Sequence, residues 1–555
     1  MIDTRPYYLQ NFERLTTHAT TLYADLLSGE ESARLAQFQR LPEPSRNLFV
    51  RVLTRSAPQP RSDRGFHGHK WLRSDKLVYT EVGDCMTAAQ PLIAHGFIRC
   101  DAAIDAATLL TLMTDAELRP LAAGLGIART LAAAARRAAI DALLPDFMLR
   151  AWLRQYFLWL RPANTQWIDT LMLLYFGNRR QDLSTFVVAE LGHVRYEVVP
   201  YESQRPFSDR ADFECFRTLL DLRQSARVSA WRGNTRALLS VSNAVLEAPD
   251  HVLLPGRRDR MLVLLAETFS KLGLYQSGIA VCSAADSPEA QRRMSLLRMR
   301  VPSVLRSAEV GDGHEQSPAV SPIRRKAALF RPPERSFSLA WRPGEVEAQT
   351  LAVLTGQGYR GAHLENAFPT ALFGLLCWDV VFAALPGAFF NAYQIGPADL
   401  DSADFHARRF ERFKSRIDAI RNGSEDWRQR AASTHLHKHG IANPFVHWRD
   451  IDWPLFFDLC AGLRDEAAAM ICEHIALDPR RHRVGFPDLS LRQADAPTVF
   501  CEVKSPNDQL HPAQRRWLQQ LDQVGHHAWV ARILAAPDLE RDLDTDSDAD
   551  SDARA

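Results

Sequence analysis

The sequence predicts a multidomain chain, mainly α through its N-terminal and middle regions and closing on a small mixed α/β domain. Three observations predict it. A length of 555 residues suits about three or four domains of ordinary size. Between Leu489 and Leu534 the pattern runs strand, strand, helix, strand, the order of a compact α/β core. Upstream, helix start and stop signals dominate. The clearest are Thr114-Asp115-Ala116-Glu117, a capping box that opens one helix, and Gly124-Leu125-Gly126, which ends it.

Taken in order, residues 1–100 read as a helical domain with basic clusters at Arg46, Arg51 and Arg55 and again at Arg61, Arg64, Lys70 and Arg73. The stretch Ser56–Gly68 mixes Pro, Gly and Ser with arginine and reads as a mobile basic loop, able to contact phosphates without sequence preference. Residues 101–145 form a helix-turn-helix, in which Thr130–Leu144 is the second helix, stopped by Pro145, and Arg129, Arg136 and Arg137 give a basic side. Residues 146–335 are helical again. Within them Leu262–Phe269, Leu272-Gly273-Leu274-Tyr275 and Ala280 resemble one tetratricopeptide-like (TPR-like) unit, without a clean repeat. Val301–Arg335, rich in Pro, Ser and Gly and carrying Arg324-Arg325-Lys326, reads as an exposed connection to the α/β domain of residues 336–540. Residues 541–555 are a Ser/Asp/Ala tail that reads as disordered. Its six aspartates and two arginines set it at −4, so the +1 of the whole chain hides +5 on the rest.

The α/β domain holds the residues that carry chemistry. Gly485-Phe486-Pro487-Asp488 leads into Leu489-Ser490-Leu491, the first arm of a hairpin; Arg492–Pro497 is its polar turn and Val499–Val503 its second arm. Glu502 follows Asp488 by fourteen residues, and Lys504 shares the face of Glu502 because strand side chains repeat every second residue. Ser505–Asp508 breaks the strand. His511-Pro512 then opens a helix carrying Gln514, Trp517, Leu518 and Leu521, and Ala528–Leu534 is a closing strand. Two acids and a lysine meeting at one point are tools for hydrolysing a phosphodiester. Carboxylates supply the hard oxygen ligands that Mg²⁺ or Mn²⁺ prefers. Lys504 can orient or deprotonate the attacking water or bind the transition state, and the residues alone do not choose among these roles.

The run from Gly485 through Glu502-Val503-Lys504-Ser505-Pro506-Asn507-Asp508 to Gln514, Trp517 and Leu518 resembles the VRR-type nuclease domain of the restriction-endonuclease-like PD-(D/E)xK superfamily. It resembles the Fanconi-associated nuclease family most. Tyr359-Arg360-Gly361, Leu364-Glu365-Asn366, Leu372–Leu376 and Trp378-Asp379 match the segment opening that domain in the family, and Phe389–Gln394, with Pro397 and Asp399-Leu400, matches a further block. Tyr7-Tyr8-Leu9 and Leu48–Leu53 have counterparts at the N-terminus. The resemblance implies that Asp488, Glu502 and the Val503 carbonyl hold a first metal ion, that Glu365 helps hold a second metal ion or a metal-bound water, and that Gln514 faces the site. It implies a SAP-like DNA-binding motif at residues 101–145 and a helical-repeat scaffold after it. The implied partner is branched or flapped double-stranded DNA with a 5′ end, cut near the flap and degraded 5′ to 3′ in interstrand-crosslink repair. Arg51, Arg55, Arg129, Arg136, Arg137, Arg481 and Arg483 are the DNA-contact candidates, the last two because Asp478–Arg483 adjoins the Gly-Phe-Pro-Asp segment.

No Cys/His finger of the ubiquitin-binding kind stands at the N-terminus, so the bacterial-type members are the match, with a cytoplasmic setting and nucleoid association when acting. Two rival readings are a four-way junction resolvase and a noncatalytic DNA-binding scaffold. His435, His437 and His439 alternate as zinc ligands on a strand would, but no cysteine or second histidine pair lies near them. Composition excludes other classes. An apolar fraction of 46% with 24% charged residues is that of a globular protein rather than a disordered or membrane chain. The apolar run near 372–390 is broken by Asp379 and Pro386, and the polar start lacks a signal-peptide pattern. Eight cysteines without a Cys-x-x-Cys pair indicate reduced thiols. No small-molecule cofactor is expected.

Overall fold

The computed structural model describes residues 5–56, 69–100, 104–203, 205–248, 257–301, 330–339, 344–402, 404–505 and 508–535. The basic loop after Ser56, most of the Val301–Arg335 connection and the acidic tail therefore lie outside the described residues. The chain divides into two compact units, one of residues 1–193 and 207–241, the other of 194–206 and 242–555. This division falls before the TPR-like helices rather than after them, so residues 257–300 belong with the α/β domain.

In the first unit, helices Tyr7–Leu22, Gly29–Gln39 and Glu43–Ser56 close on an aromatic centre of Phe12, Phe38, Phe49, Phe97 and Trp167, with Phe49 stacked on Trp167 at 6.3 Å. Strands β1 (Leu72–Arg73), β2 (Ile98–Cys100) and β3 (Trp159–Pro162) pair antiparallel in the order β1-β3-β2. The mainly helical expectation for residues 1–100 and 146–335 did not include them, because strands of two to four residues are too short to show a period of two. The Thr114 capping box forms: its N–H donates to Glu117 Oε2 at 2.8 Å and its Oγ1 accepts the Glu117 N–H at 3.3 Å. The second helix of the pair starts later than expected and spans Ala133–Leu143. Leu109, Leu118, Ile140, Leu149 and Trp159 bury the hairpin's apolar side.

The second unit is built on a five-stranded sheet. Its strands β4 (Glu334–Leu339), β5 (Arg360–His363), β6 (Leu489–Arg492), β7 (Val499–Lys504) and β8 (Ala528–Ala535) run in the order β4-β8-β7-β6-β5. β4, β8 and β7 are mutually parallel, whereas β7-β6-β5 is antiparallel. Helix Val346–Gly356 covers one face, packing Val346 and Leu354 with Leu489, Leu491, Cys501, Val503 and Trp529. The opposite face belongs to a larger core in which Phe368, Phe486, Trp517 and Leu518 meet Phe500 and Val530. Helix Ala367–Leu376 runs through that core wholly buried from Phe368 on, as its unbroken apolar sequence requires. Pro369 sits in its first turn, where a missing N–H costs no helical hydrogen bond. Helices Phe410–Arg421, Trp427–Lys438, Trp453–Ala461 and Asp465–Leu477 complete the unit before β6. His435 and His437 lie on a helix, not a strand. His435 packs against Trp453 with ring centroids 4.4 Å apart and meets His439 at 5.2 Å, but His437 turns back to the Ser433 carbonyl, so the three do not converge as one ligand set. Among the described residues no helix is long and apolar enough to cross a membrane.

Candidate active site

Strand register assembles the site. β6 and β7 pair with Leu491 opposite Val499 and Leu489 opposite Cys501, and the same register carried one residue back sets Asp488 opposite Glu502. Asp488 Oδ2 accepts the Val503 N–H at 2.7 Å, fixing the carboxylate against β7. The Asp488 carbonyl accepts the N–H groups of Leu364 and Glu365, both at 3.1 Å, which ties the exit of β5 to the same point.

Glu502 is fully buried, and its two oxygens differ. Oε1 accepts from Lys504 Nζ at 2.8 Å and from Gln514 Nε2, while Oε2 has no hydrogen-bond partner. Gln514 is itself set by the helix start, since its Oε1 accepts the His511 N–H at 2.9 Å. Gly485 lets that helix approach. Its φ is 86°, and a Cβ there would lie 2.8 Å from the Ala513 Cβ. Burial, then the facing charge of Asp488, push the Glu502 carboxyl up to about 8. Burial raises Asp488 as well, against the opposing effects of the Val503 N–H and Lys504. Once both carboxylates ionise, one lysine leaves a negative charge unbalanced beside a buried oxygen without a partner, and a hard divalent cation relieves that condition in place of the proton. The donor set therefore fits a hard divalent cation.

Glu365 stands in the turn between β5 and helix Ala367–Leu376, in the left-handed region at φ 45°. Its Oε1 accepts from Asn366 Nδ2 at 2.8 Å, and Asn366 Oδ1 accepts the Phe486 N–H at 3.1 Å. Asn366 thus links Glu365 to the Gly-Phe-Pro-Asp segment, a role that sequence reading missed although the residue adjoins Glu365. His363, at the end of β5, was also missed. Its charge acts on Asp488 and opposes the rise of that carboxyl. Among the described residues no three His, Cys, Asp or Glu side chains converge on one point. Asp488 and Glu502 form the pair, and Glu365 stands beside it, close enough for its charge to raise Glu502 further.

The arginine expectations need correction. Arg136 is 3% exposed, pairs with Asp115 and donates to the carbonyls of Arg129 and Leu131 at 3.1 and 2.6 Å. Arg137 donates to the carbonyls of Leu110 and Met113 at 3.2 and 2.9 Å. Both brace the helical hairpin through these bonds; Arg136 lies four residues before buried Ile140, on the inner face of its helix. Arg51 pairs with Glu81 at 3.0 Å and stacks between Tyr8 and Tyr79, and Arg481 pairs with Glu289. Arg55, Arg129 and Arg483 have no carboxylate partner among the described residues, and Arg129 is exposed.

An α/β sheet that sets two acids and a lysine on adjoining strands defines a nuclease of the PD-(D/E)xK class. Residues 6–99 match the family model described as FAN1, HTH domain, and residues 423–533 match the VRR-NUC domain. The Fanconi-associated nuclease 1 homolog of Pseudomonas aeruginosa is 30% identical over 552 residues, covering 92% of this chain and 93% of that protein. Fanconi-associated nuclease 1 of Homo sapiens is 32% identical over 195 residues, covering 34% of this chain and 19% of its own length. The crystal structure of paFAN1 bound to a 2-nucleotide 5′ flap DNA with a gap is similar at a TM-score of 0.76 and 28% identity, covering 96% of this chain and 98% of that one. The chain belongs to the Fanconi-associated nuclease family and is a nuclease. That family of nucleases depends in general on divalent metal.

Proposed function

We propose that the chain is a 5′ flap endonuclease with 5′ to 3′ exonuclease activity, acting on branched or flapped double-stranded DNA in interstrand-crosslink repair. The observation that carries the chemistry is the buried Asp488–Glu502 pair with its partnerless Oε2 beside Lys504. The likeness to paFAN1 solved on 5′ flap DNA supports the choice of substrate. Asp488, Glu502 and the Val503 carbonyl would hold one Mg²⁺ or Mn²⁺, and Glu365 would help hold a second ion or a metal-bound water. Bound there, divalent cations neutralise charge on the reacting phosphate and make water a better nucleophile. The chain's own part is orientation. Gln514 and Lys504 hold Glu502 Oε1, so that Oε2 stays free for a ligand. Lys504 Nζ, 2.8 Å from Glu502 Oε1, is the cation at the pair and serves to hold the attacking water or a phosphoryl oxygen.

The test offers the purified chain a 5′ flap duplex, an immobile four-way junction and a flap-less duplex with Mg²⁺ or Mn²⁺. The flap should be cut fastest, and Asp488→Ala should bind it without cutting. Junction cleavage at the flap rate would favour a resolvase, and a flap bound but left whole by the unaltered chain would favour a noncatalytic scaffold.

A further inference from the structure

Away from the nuclease domain, the first unit contains a cavity of about 940 Å³ at the end of helix Glu43–Ser56, bordered by β1, Arg161 of β3 and helix Ala106–Thr111. That size falls within the roughly 300–1,000 Å³ of ligand pockets. Part of its lining is apolar, from Leu77, Ile104 and Leu112, and part is cationic, from Arg55, Lys70 and Arg161. None of these three cations has a carboxylate partner among the described residues. Arg55 donates to the Lys76 carbonyl at 3.0 Å and the Tyr79 hydroxyl at 2.7 Å, and the Arg161 guanidinium lies 4.6 Å from the ring centroid of Trp71. Arg73, also on the wall, is different, because Asp75 and Glu117 neutralise it. Asp105, the one carboxylate among the described lining residues, accepts the Thr108 N–H at 2.7 Å and hydroxyl at 2.8 Å, capping its helix. Uncompensated positive charge thus faces a concave space with a stacked arginine–tryptophan pair in its wall.

Such a wall selects among anions. A double helix buries the faces of its bases, whereas an unpaired nucleotide offers a flat base beside its phosphate and stacks on aromatic and guanidinium planes. We propose that this cavity takes a nucleotide of single-stranded DNA, the unpaired flap strand, with the base against Arg161–Trp71 and the apolar floor and the phosphate against Lys70 and Arg55. This deepens the flap reading above and rests on it.

Fluorescence anisotropy in EDTA tests the assignment with three labelled probes: an oligothymidine, a flap-less duplex and the same duplex with a 5′ flap. Lys70→Glu and Arg161→Ala should each weaken binding of the oligothymidine and the flap about tenfold, and leave the flap-less duplex within about twofold. Equal losses on all three probes would make the cavity a general phosphate contact and overturn the proposal, as would no loss on any. Lys70 is exposed, so Lys70→Glu reports on the cavity even if thermal melting shows that Arg161→Ala unfolds the chain. An unaltered chain that binds the flap no better than the flap-less duplex defeats the flap reading itself. One that prefers the flap, with both variants keeping the preference, defeats the cavity assignment alone.

Discussion

The chemistry at the scale of single residues depends on how Glu502 is held. Its carboxyl, 4.5 in ordinary surroundings, protonates at about 8 in the folded chain, so between those values the folded state binds more protons than the unfolded. Without metal, the contribution of Glu502 to stability is therefore greatest below 4.5 and is lost as pH rises through about 8. A cation on the ionised pair competes with that proton. Calorimetric titration with Ca²⁺ should accordingly show affinity rising about tenfold per pH unit on the approach to about 8 and levelling above it. An affinity independent of pH in that range would mean that Glu502 is already ionised. Gln514 tests a neighbouring point, because it restrains one oxygen of Glu502 without being charged. Gln514→Ala should lower kcat about 10–100-fold with little change in KM for DNA, and steady-state kinetics on a flap duplex would show a KM effect instead if Gln514 contacted the substrate.

Strands and helices set how closely these residues meet, and the edge strand β5 is the sensitive one. A Cβ on Gly361 would lie 2.3 Å from the Ser490 carbonyl oxygen and 2.9 Å from the Leu491 Cα, both on β6. β5 runs on into Glu365, whose N–H holds the Asp488 carbonyl, so a displaced β5 drags the site with it. Gly361→Ala should cost about 2–4 kcal/mol in urea unfolding and lower cleavage as well. Unchanged stability would show that the two strands can separate without penalty. β5 also marks where the sequence ceased to be readable. β7 and β8 are apolar runs bounded by turn residues and the Pro512 helix has an explicit start, so the hairpin that opposes Asp488 and Glu502 could be read directly. Arg360-Gly361-Ala362-His363 contains no strand former. It is a strand because β6 supplies its partners, a tertiary effect that no local pattern carries. Burial misled in the other direction at Arg136, where a charged residue on a helix suggested a DNA contact but its spacing from Ile140 placed it inside.

For the molecule as a whole, 67 basic against 66 acidic residues leave almost no net charge, so affinity for DNA has to come from where cations lack partners rather than from their number. The placement of Arg136 and Arg129 turns that into a separable pair of outcomes. Arg136→Ala removes a buried brace and should cost about 1–3 kcal/mol of stability, with weaker binding only as far as the hairpin loosens. Arg129→Ala should leave the melting temperature unchanged while weakening DNA binding, and should reduce the slope of log affinity against log salt by about 0.9 if it neutralises one phosphate. Cutting behaves independently of both. Lys504→Ala should abolish cleavage yet keep affinity within about threefold, since the cations that grip the backbone lie elsewhere. Salt-dependent anisotropy of these three variants, beside single-turnover cleavage, would separate the roles. Should Lys504→Ala lose as much affinity as Arg129→Ala, gripping and cutting share their residues and the separation fails.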